Sequence, residues 1–128
     1  MTATFDDVRR IGLALAEVTE STSYGTPSLK VNGKSLCRQW SDREHDRDGI
    51  HDTEVLVVFC ELDVKDALIE ASEGVLFSTT HYHDYGAMLI RLADVEPDDL
   101  ADWLEDSYRL RAPTRLLRML DTLEPDRP

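Results

Sequence analysis

The sequence is short of cysteine: Cys37 and Cys60 are its only two, 23 positions apart and without a C-x-x-C pair. Two cysteines so spaced make neither a disulfide framework nor a structural zinc site. We therefore expect two buried, reduced thiols in a cytoplasmic protein.

Long apolar runs are also missing. Uncharged stretches such as residues 55–60 are far shorter than the roughly 18 residues that a membrane span needs. Residues 1–7 are acidic and have no apolar h-region, so we expect no secretory signal. The sequence predicts no membrane partner.

Familiar catalytic signatures are absent as well: there is no serine nucleophile elbow, phosphate-cradling glycine loop or H-E-x-x-H motif. Residues 44–49 resemble the start of an EF-hand calcium loop, but the twelfth position, which needs a bidentate acid, is Val55. We therefore predict no catalytic residue, no cofactor and no metal site.

The chain that remains has the size of one domain. Its 128 residues, 41% hydrophobic and 31% charged, are typical of a globular protein. We predict a single domain over residues 1–128, with a core at about 5–120, a polar loop at 42–53 and a tail at 121–128.

The net charge is −12, which disfavours non-specific binding to polyanions. The positive charges are nevertheless segregated: residues 22–41 hold three bases and no acid, and residues 107–120 hold four bases and no acid. These segments would form one anion-attracting surface if the fold brought them together; the alternative is that each base pairs with a neighbouring acid.

Helical patterns occur in four places. The first begins at the N-cap Thr4 with Asp7 three positions later, and its apolar stripe is Phe5, Val8, Gly12 and Leu15. The second is predicted from Asp63 to Gly74, with an inner face of Val64, Ala67, Leu68 and Ala71. The third begins at Pro97 and ends with Arg109 and Arg111, and a short last helix follows from Thr114.

Extended segments alternate with these helices. Asn32-Gly33 predicts a two-residue hairpin turn that pairs Val31 with Lys34, Lys30 with Ser35 and Leu29 with Leu36. Residues 21–25 are interpreted as a loop, and further strands are predicted at 54–60, 75–78 and 86–92. The order α-β-β-β-α-β-β-α-α indicates an α+β domain with about five strands.

The densest polar cluster is residues 79–86, T-T-H-Y-H-D-Y-G. A histidine there could shuttle a proton with Asp84 orienting it, and His81 and His83 could ligate a metal, although no third ligand is suggested nearby. The alternative is a connecting loop whose tyrosine and histidine rings pack on the sheet edge.

Four segments together resemble the MmcQ/YjbR-like family: Ser23-Tyr24-Gly25-Thr26-Pro27, the hairpin at residues 29–34, the loop from Thr80 into residues 89–92, and residues 104–110. The resemblance covers about residues 5–120. It implies a frataxin-like (CyaY-like) antiparallel sheet with helices packed against it.

The same resemblance implies DNA binding by two hairpin wings, and no enzymatic activity is established for the family. Carried onto this sequence, the first wing would use Lys30, Lys34 and Arg38. The second would use His81, Tyr82, Tyr85 and Arg91, joined by Arg109 and Arg111 if the helix end meets the sheet. Cations would neutralise phosphates and tyrosines would stack on bases or sugars.

Three functional hypotheses follow from the sequence. The first is a non-enzymatic module that binds DNA or another anionic ligand through these nine residues. The second is a small-molecule pocket or enzyme around His81, His83 and Tyr85. The third is an acidic domain that binds a basic protein partner. We expect a monomer in each case.

Overall fold

A computed structural model describes residues 3–122, and its centre is a six-stranded antiparallel sheet in the order β1-β2-β3-β4-β6-β5. The strands are β1 (Thr19–Ser23), β2 (Thr26–Val31), β3 (Lys34–Gln39), β4 (Val55–Phe59), β5 (Leu76–Phe77) and β6 (Ala87–Arg91). The helices are α1 (Phe5–Leu13), α2 (Asp42–Asp48), α3 (Leu62–Ala71), α4 (Pro97–Arg111) and α5 (Thr114–Thr122), with a 3-10 helix at Thr80–Tyr82. The α+β class and the antiparallel sheet are confirmed, with six strands instead of about five.

The main core lies on one face of the sheet, under α1, α3, α4 and α5. It joins Leu29, Leu36 and Ile90 of the sheet to Val8 of α1 and Leu104 of α4, all fully buried. Side chains of α4 also bond to distant backbone: the Ser107 hydroxyl donates to Leu36 O at 2.8 Å, and the Tyr108 hydroxyl donates to Ala16 O at 2.9 Å. We call this side the helical face.

A smaller core occupies the opposite side of the sheet, which we call the second face. Its buried side chains are Trp40, Val55, Val57, Tyr82, Ala87 and Leu89. The 79–86 loop covers this core with Tyr82, and α2 reaches it through His45, whose ring centroid lies 5.1 Å from that of Trp40.

The Asn32-Gly33 turn is confirmed, and Val31 and Lys30 pair with Lys34 and Ser35 as expected. Beyond that point the register shifts, so that Leu29 lies opposite Cys37 rather than the predicted Leu36. A β-bulge places one extra residue in β3, and Leu36 and Cys37 both join the main core. The predicted register, which would place Arg38 on the face of Leu29, is therefore wrong at this point, and Arg38 lies beside Val57 on the second face.

Two segments interpreted as loops have regular structure. Part of the 21–25 segment belongs to edge strand β1, which pairs with β2 through a turn in which Tyr24 and Gly25 have φ of 54° and 81°. Part of the 42–53 segment forms α2, because Ser41 and Glu44 make a capping box and Gly49 ends the helix at a φ of 67°. Neither element has an apolar stripe, since β1 and α2 have no fully buried residue.

Helix α3 presents a different face to the core from the one predicted. Val64 is 42% exposed, and Ala67 and Ala71 are exposed as well. The helix turns Lys65 inward beside Leu68, with Lys65 only 1% exposed. Polar groups of the 79–86 loop contact this lysine. The prediction that the inner face of α3 consists of apolar side chains is therefore wrong.

The predicted tail is helical at Asp121 and Thr122, which end α5, and its remaining residues lie outside the described range. Within residues 3–122 no helix has the length and apolar character needed to cross a bilayer.

Gly12→Ala in α1 should destabilise the fold, although alanine is ordinarily favoured over glycine in a helix by about 1 kcal/mol. A Cβ at Gly12 would lie 2.3 Å from Cδ1 of Leu29, which is fully buried and has little room to move. Overpacking of this kind costs roughly 1–3 kcal/mol. Urea denaturation of the variant measures the loss.

The matched control is Leu29→Val, which removes the clashing δ-carbon. In the Gly12→Ala/Leu29→Val double variant the free-energy loss should be smaller than the sum of the two single losses. A Gly12→Ala variant as stable as wild type would contradict the assigned close packing.

Candidate ligand-binding groove

An ion pair links β3 to α2 on the second face. Arg38 Nη1 donates to Glu44 Oε1 at 2.7 Å, and Arg38 Nη2 donates to Glu44 Oε2 at 2.8 Å, a bidentate geometry. The Tyr82 hydroxyl joins the pair: it accepts from Arg38 Nη2 and donates to Glu44 Oε2, each at 2.9 Å. The three side chains therefore tie together β3, α2 and the 79–86 loop.

The Glu44 carboxylate has further donors in its own helix cap. Its Oε1 accepts from the Ser41 amide and from the Ser41 hydroxyl, both at 3.1 Å. Burial raises the pKa of Glu44, but the hydrogen bonds from Arg38, Ser41 and Tyr82 outweigh it and lower the pKa to about 2. Burial raises the pKa of Tyr82 to about 12, so this phenol remains protonated and donates.

Lys65 anchors the 79–86 loop from the other side. Its ammonium donates to the carbonyls of Tyr82 and Tyr85, the latter at 2.9 Å. Burial lowers the pKa of Lys65, an effect that nearby Cys60, Asp66 and Asp84 oppose. The loop is thus fixed by its Tyr82 hydroxyl at one point and by its carbonyls at another.

These contacts shape an open depression of about 370 Å³, which we call the tyrosine groove. Its lining is aromatic with a few charges: Tyr24, Arg38, Glu44, Arg47, Val57, Phe59, His81, Tyr82 and Tyr85. Tyr24, at the tip of the β1–β2 turn, is 89% exposed, and the Arg38 guanidinium lies 5.2 Å from its ring centroid. Tyr85 is 49% exposed and meets Phe59 edge-on at 5.9 Å.

The histidines of the 79–86 loop are exposed. His81 lines the groove, whereas His83 points into solvent with its Nε2 3.7 Å from Asp84 Oδ1. Both also border a shallow second depression of about 750 Å³. Within residues 3–122 no three His, Cys, Asp or Glu side chains are placed to hold a metal ion.

The structure separates the remaining predicted cations. Lys30 donates to Thr22 O at 3.2 Å, and Lys34 is exposed at the hairpin tip. Arg91 pairs with Asp52 and, at 2.7 Å, with Asp94.

The two cations at the end of α4 also have partners. Arg109 pairs with Glu105 at 3.5 Å and with Asp121 at 3.2 Å. Arg111 lies over the Phe59 ring, 4.6 Å from its centroid. Of the nine predicted site residues, four line the tyrosine groove: Arg38, His81, Tyr82 and Tyr85.

Sequence reasoning missed Tyr24, Glu44, Arg47 and Lys65. The Ser41-x-x-Glu44 spacing is a capping-box signature and could have identified α2, and with it Glu44 and Arg47. Tyr24 stands beside Gly25 in a turn-forming pair. Lys65 has no comparable signal, because a lysine within a helix is ordinarily exposed.

Comparisons with known proteins bear on the whole chain. The YjbR family model matches residues 13–110. Two uncharacterised proteins, Rv2570 of Mycobacterium tuberculosis and Mb2600 of Mycobacterium bovis, are each 32% identical over 124 residues, covering 91% of this chain and 94% of theirs. The crystal structure of the DUF419-domain protein DR2400 of Deinococcus radiodurans is similar in fold, with a TM-score of 0.63 and 21% identity over 85% of this chain and 78% of that one.

Glu44→Gln should destabilise the protein in a pH-dependent way. Because the pKa of Glu44 is about 2 in the folded protein against an ordinary value of 4.5, its charge stabilises the fold above about pH 4.5. The contribution is lost as pH falls from 4.5 towards 2, so the gap between wild type and variant should be on the order of 2–3 kcal/mol at pH 7 and shrink over that window. Urea titrations from pH 2 to 7 measure it.

Asp46→Asn is the matched control, since Asp46 is an exposed acid of the same helix whose only contact among the described residues is His51, 3.7 Å away. It should leave the stability nearly unchanged. A Glu44→Gln gap that stays constant from pH 7 to pH 2 would contradict the assigned ion pair.

Lys65→Met should loosen the 79–86 loop. Methionine keeps the apolar stem but removes the charge-assisted hydrogen bonds from the ammonium to the Tyr82 and Tyr85 carbonyls, at a cost of about 1.5–3 kcal/mol. Hydrogen exchange of the Tyr85 amide, which donates to Tyr82 O, should accelerate. Lys34→Met, at an exposed lysine, is the control; equal exchange rates in the two variants would rule out the anchoring role.

Proposed function

The chain belongs to the YjbR family, and we propose that it is a non-enzymatic binding domain whose tyrosine groove takes a short single-stranded segment of nucleic acid. The observation that carries the proposal is the groove's lining, in which aromatic rings stand beside arginines on a surface left open by the fold. Rings that stack on bases, with a cation nearby for a phosphate, are the features of single-strand binding sites.

The two exposed tyrosines supply the stacking surfaces. Tyr24 presents nearly its whole ring at the turn tip, and Tyr85 presents half of its surface across the groove. Tyr82 is excluded from this role, because it is buried and its hydroxyl is held by Arg38 and Glu44. Base stacking on one exposed ring contributes about 1–3 kcal/mol.

The charges of the lining favour an anion but only weakly. The lining holds two guanidinium groups, those of Arg38 and Arg47, and one carboxylate, that of Glu44, in a protein whose net charge is −12. Arg38 is committed to Glu44, so Arg47, which is exposed and contacts Asp48 at 3.0 Å, is the guanidinium available to a phosphate. Binding should therefore depend on stacking more than on phosphate contacts, and a duplex, whose bases are not free to stack, should bind less well.

A fluorescence anisotropy titration with labelled ten-nucleotide oligo-dT tests the proposal. Tyr24→Asn combined with Tyr85→Ala should weaken binding by roughly tenfold or more, because two stacking surfaces are lost. Asparagine is chosen at position 24 because it tolerates the positive φ there. Arg47→Gln should weaken binding less and flatten the salt dependence, whose slope for about one phosphate contact is near −0.7.

Met119→Ala is the matched control, since Met119 is 49% exposed like Tyr85 but belongs to α5, over the helical face. It should leave the affinity unchanged. The proposal fails if wild type gives no anisotropy change at 100 µM protein in low salt, if a ten-base-pair duplex binds as tightly as the single strand, or if Met119→Ala weakens binding as much as the tyrosine variant does.

A further inference from the structure

A second cavity lies on the helical face, between α3 and α4. Its volume is about 370 Å³, and it opens over the ends of β4 and β6. Helix α3 packs on β5 and β6 whereas α4 packs on β3 and β4, so the two helices diverge and leave the sheet uncovered between them. Cavities of this size commonly hold small molecules.

The walls of this cavity are mainly apolar. Val64 and Leu68 of α3 face Trp103 and Leu110 of α4, with Met88 of β6 at the floor. Val64 and Leu110 are more than two-fifths exposed, so the rim of the cavity presents apolar surface to solvent. The walls would bury the carbon skeleton of a ligand, and tryptophan, here Trp103, is the aromatic side chain that attracts cations most strongly.

Two carboxylates of the lining have no ion-pair partner. Among residues 3–122, the side chains of Asp106 and Glu61 make no hydrogen bond or ion pair, although both residues line the cavity. Arg109 also lines it, but its guanidinium hydrogen-bonds to Glu105 and Asp121. Burial raises the pKa of Asp106, and the neighbouring Glu105 and Asp102 raise it further, against the opposing effect of Arg109. Asp106 is itself exposed, so its carboxylate is accessible to a bound cation at the mouth of the cavity.

Cys60 also lines the cavity, where its thiol is half-buried. Burial raises the pKa of Cys60 above its ordinary value, so the thiol reacts slowly and its reactivity reports on access to the cavity.

We propose that the cavity between α3 and α4 binds a small organic cation with an apolar body, such as an aryl or alkyl amine. The ammonium group contacts the Asp106 carboxylate, and the apolar body lies among Val64, Leu68 and Trp103. The site is on the opposite face of the sheet from the tyrosine groove and is independent of the function proposed for it; Phe59 borders both and is left unchanged in the tests.

Three probes of the same shape and different charge test the proposal by NMR: 2-phenylethylamine, 2-phenylethanol and 3-phenylpropionate. The chain has two tryptophans, so the Trp103 indole NH in the cavity is read against that of Trp40 on the second face. We expect the amine to shift the Trp103 resonance and to bind at least fivefold more tightly than the alcohol, and the carboxylate to bind least. Equal affinity for amine and alcohol would overturn the cation assignment, and shifts at Trp40 alone would overturn the site.

Asp106→Asn should weaken amine binding about tenfold and leave alcohol binding unchanged, because it removes the charge and keeps the shape. Asp102→Asn is the matched control: Asp102 is an exposed acid of the same helix that does not line the cavity. If both variants weaken the amine equally, the general negative field of the protein explains the binding and the assigned contact is wrong.

Thiol alkylation by iodoacetamide gives a second readout that does not depend on tryptophan. Cys37 is fully buried, so Cys60 is the thiol expected to react in the folded protein. Saturating 2-phenylethylamine should slow alkylation of Cys60 at least threefold in wild type and in Asp102→Asn, and have little effect in Asp106→Asn. Unchanged alkylation in wild type at saturating amine would place the ligand outside the cavity.

Discussion

The buried ion pair between Arg38 and Glu44 is the contact on which the second face depends. Removing two charges from water is costly, and such a pair stabilises a fold only when its remaining donors and acceptors are satisfied. Here the carboxylate also accepts from Ser41 and Tyr82, so both of its oxygens have several donors. Since the partners come from β3, from α2 and its cap and from the 79–86 loop, one network sets the positions of the elements that wall the tyrosine groove.

The β-bulge in β3 is what makes this network possible. Without the extra residue opposite Leu29, Arg38 would face the main core, where no acid is available to it. The sequence predicted the Asn32-Gly33 turn and the first two pairs of the hairpin because turn chemistry is local. It did not predict the bulge, because Leu36 and Cys37 are both apolar and either register leaves a plausible buried side chain. Which face of the sheet Arg38 occupies therefore depends on tertiary packing two residues away.

The same division between local and long-range information runs through the rest of the fold. Helices α1 and α4, which combine an apolar stripe with a helix-start signal, follow from the sequence. In contrast, β1 and α2 have no buried face and gave no periodic signal, so the capping box of α2 was its one cue. Charge segregation along the chain was a poor guide to charge on the surface. Arg115, from the basic run at residues 107–120, meets Glu17, 98 positions earlier, so a run of bases without neighbouring acids in sequence still finds acids in space. Of the tyrosines that line the groove, the sequence singled out Tyr82 and Tyr85 of the polar 79–86 loop and missed Tyr24.

The net charge of −12 acts differently on the two concave surfaces. At physiological ionic strength the Debye length is about 8 Å, so the protein's overall field reaches a ligand only at short range. An anion approaching the tyrosine groove is repelled by that field. Ring stacking and the contact with Arg47 must therefore outweigh this repulsion. A cation approaching the cavity between α3 and α4 is attracted by the same field and then meets Asp106. Added salt therefore screens an attraction at the cavity, whereas at the groove it screens the long-range repulsion as well as the contact with Arg47. A shallow salt dependence at the groove and a steeper one at the cavity follow from the same net charge.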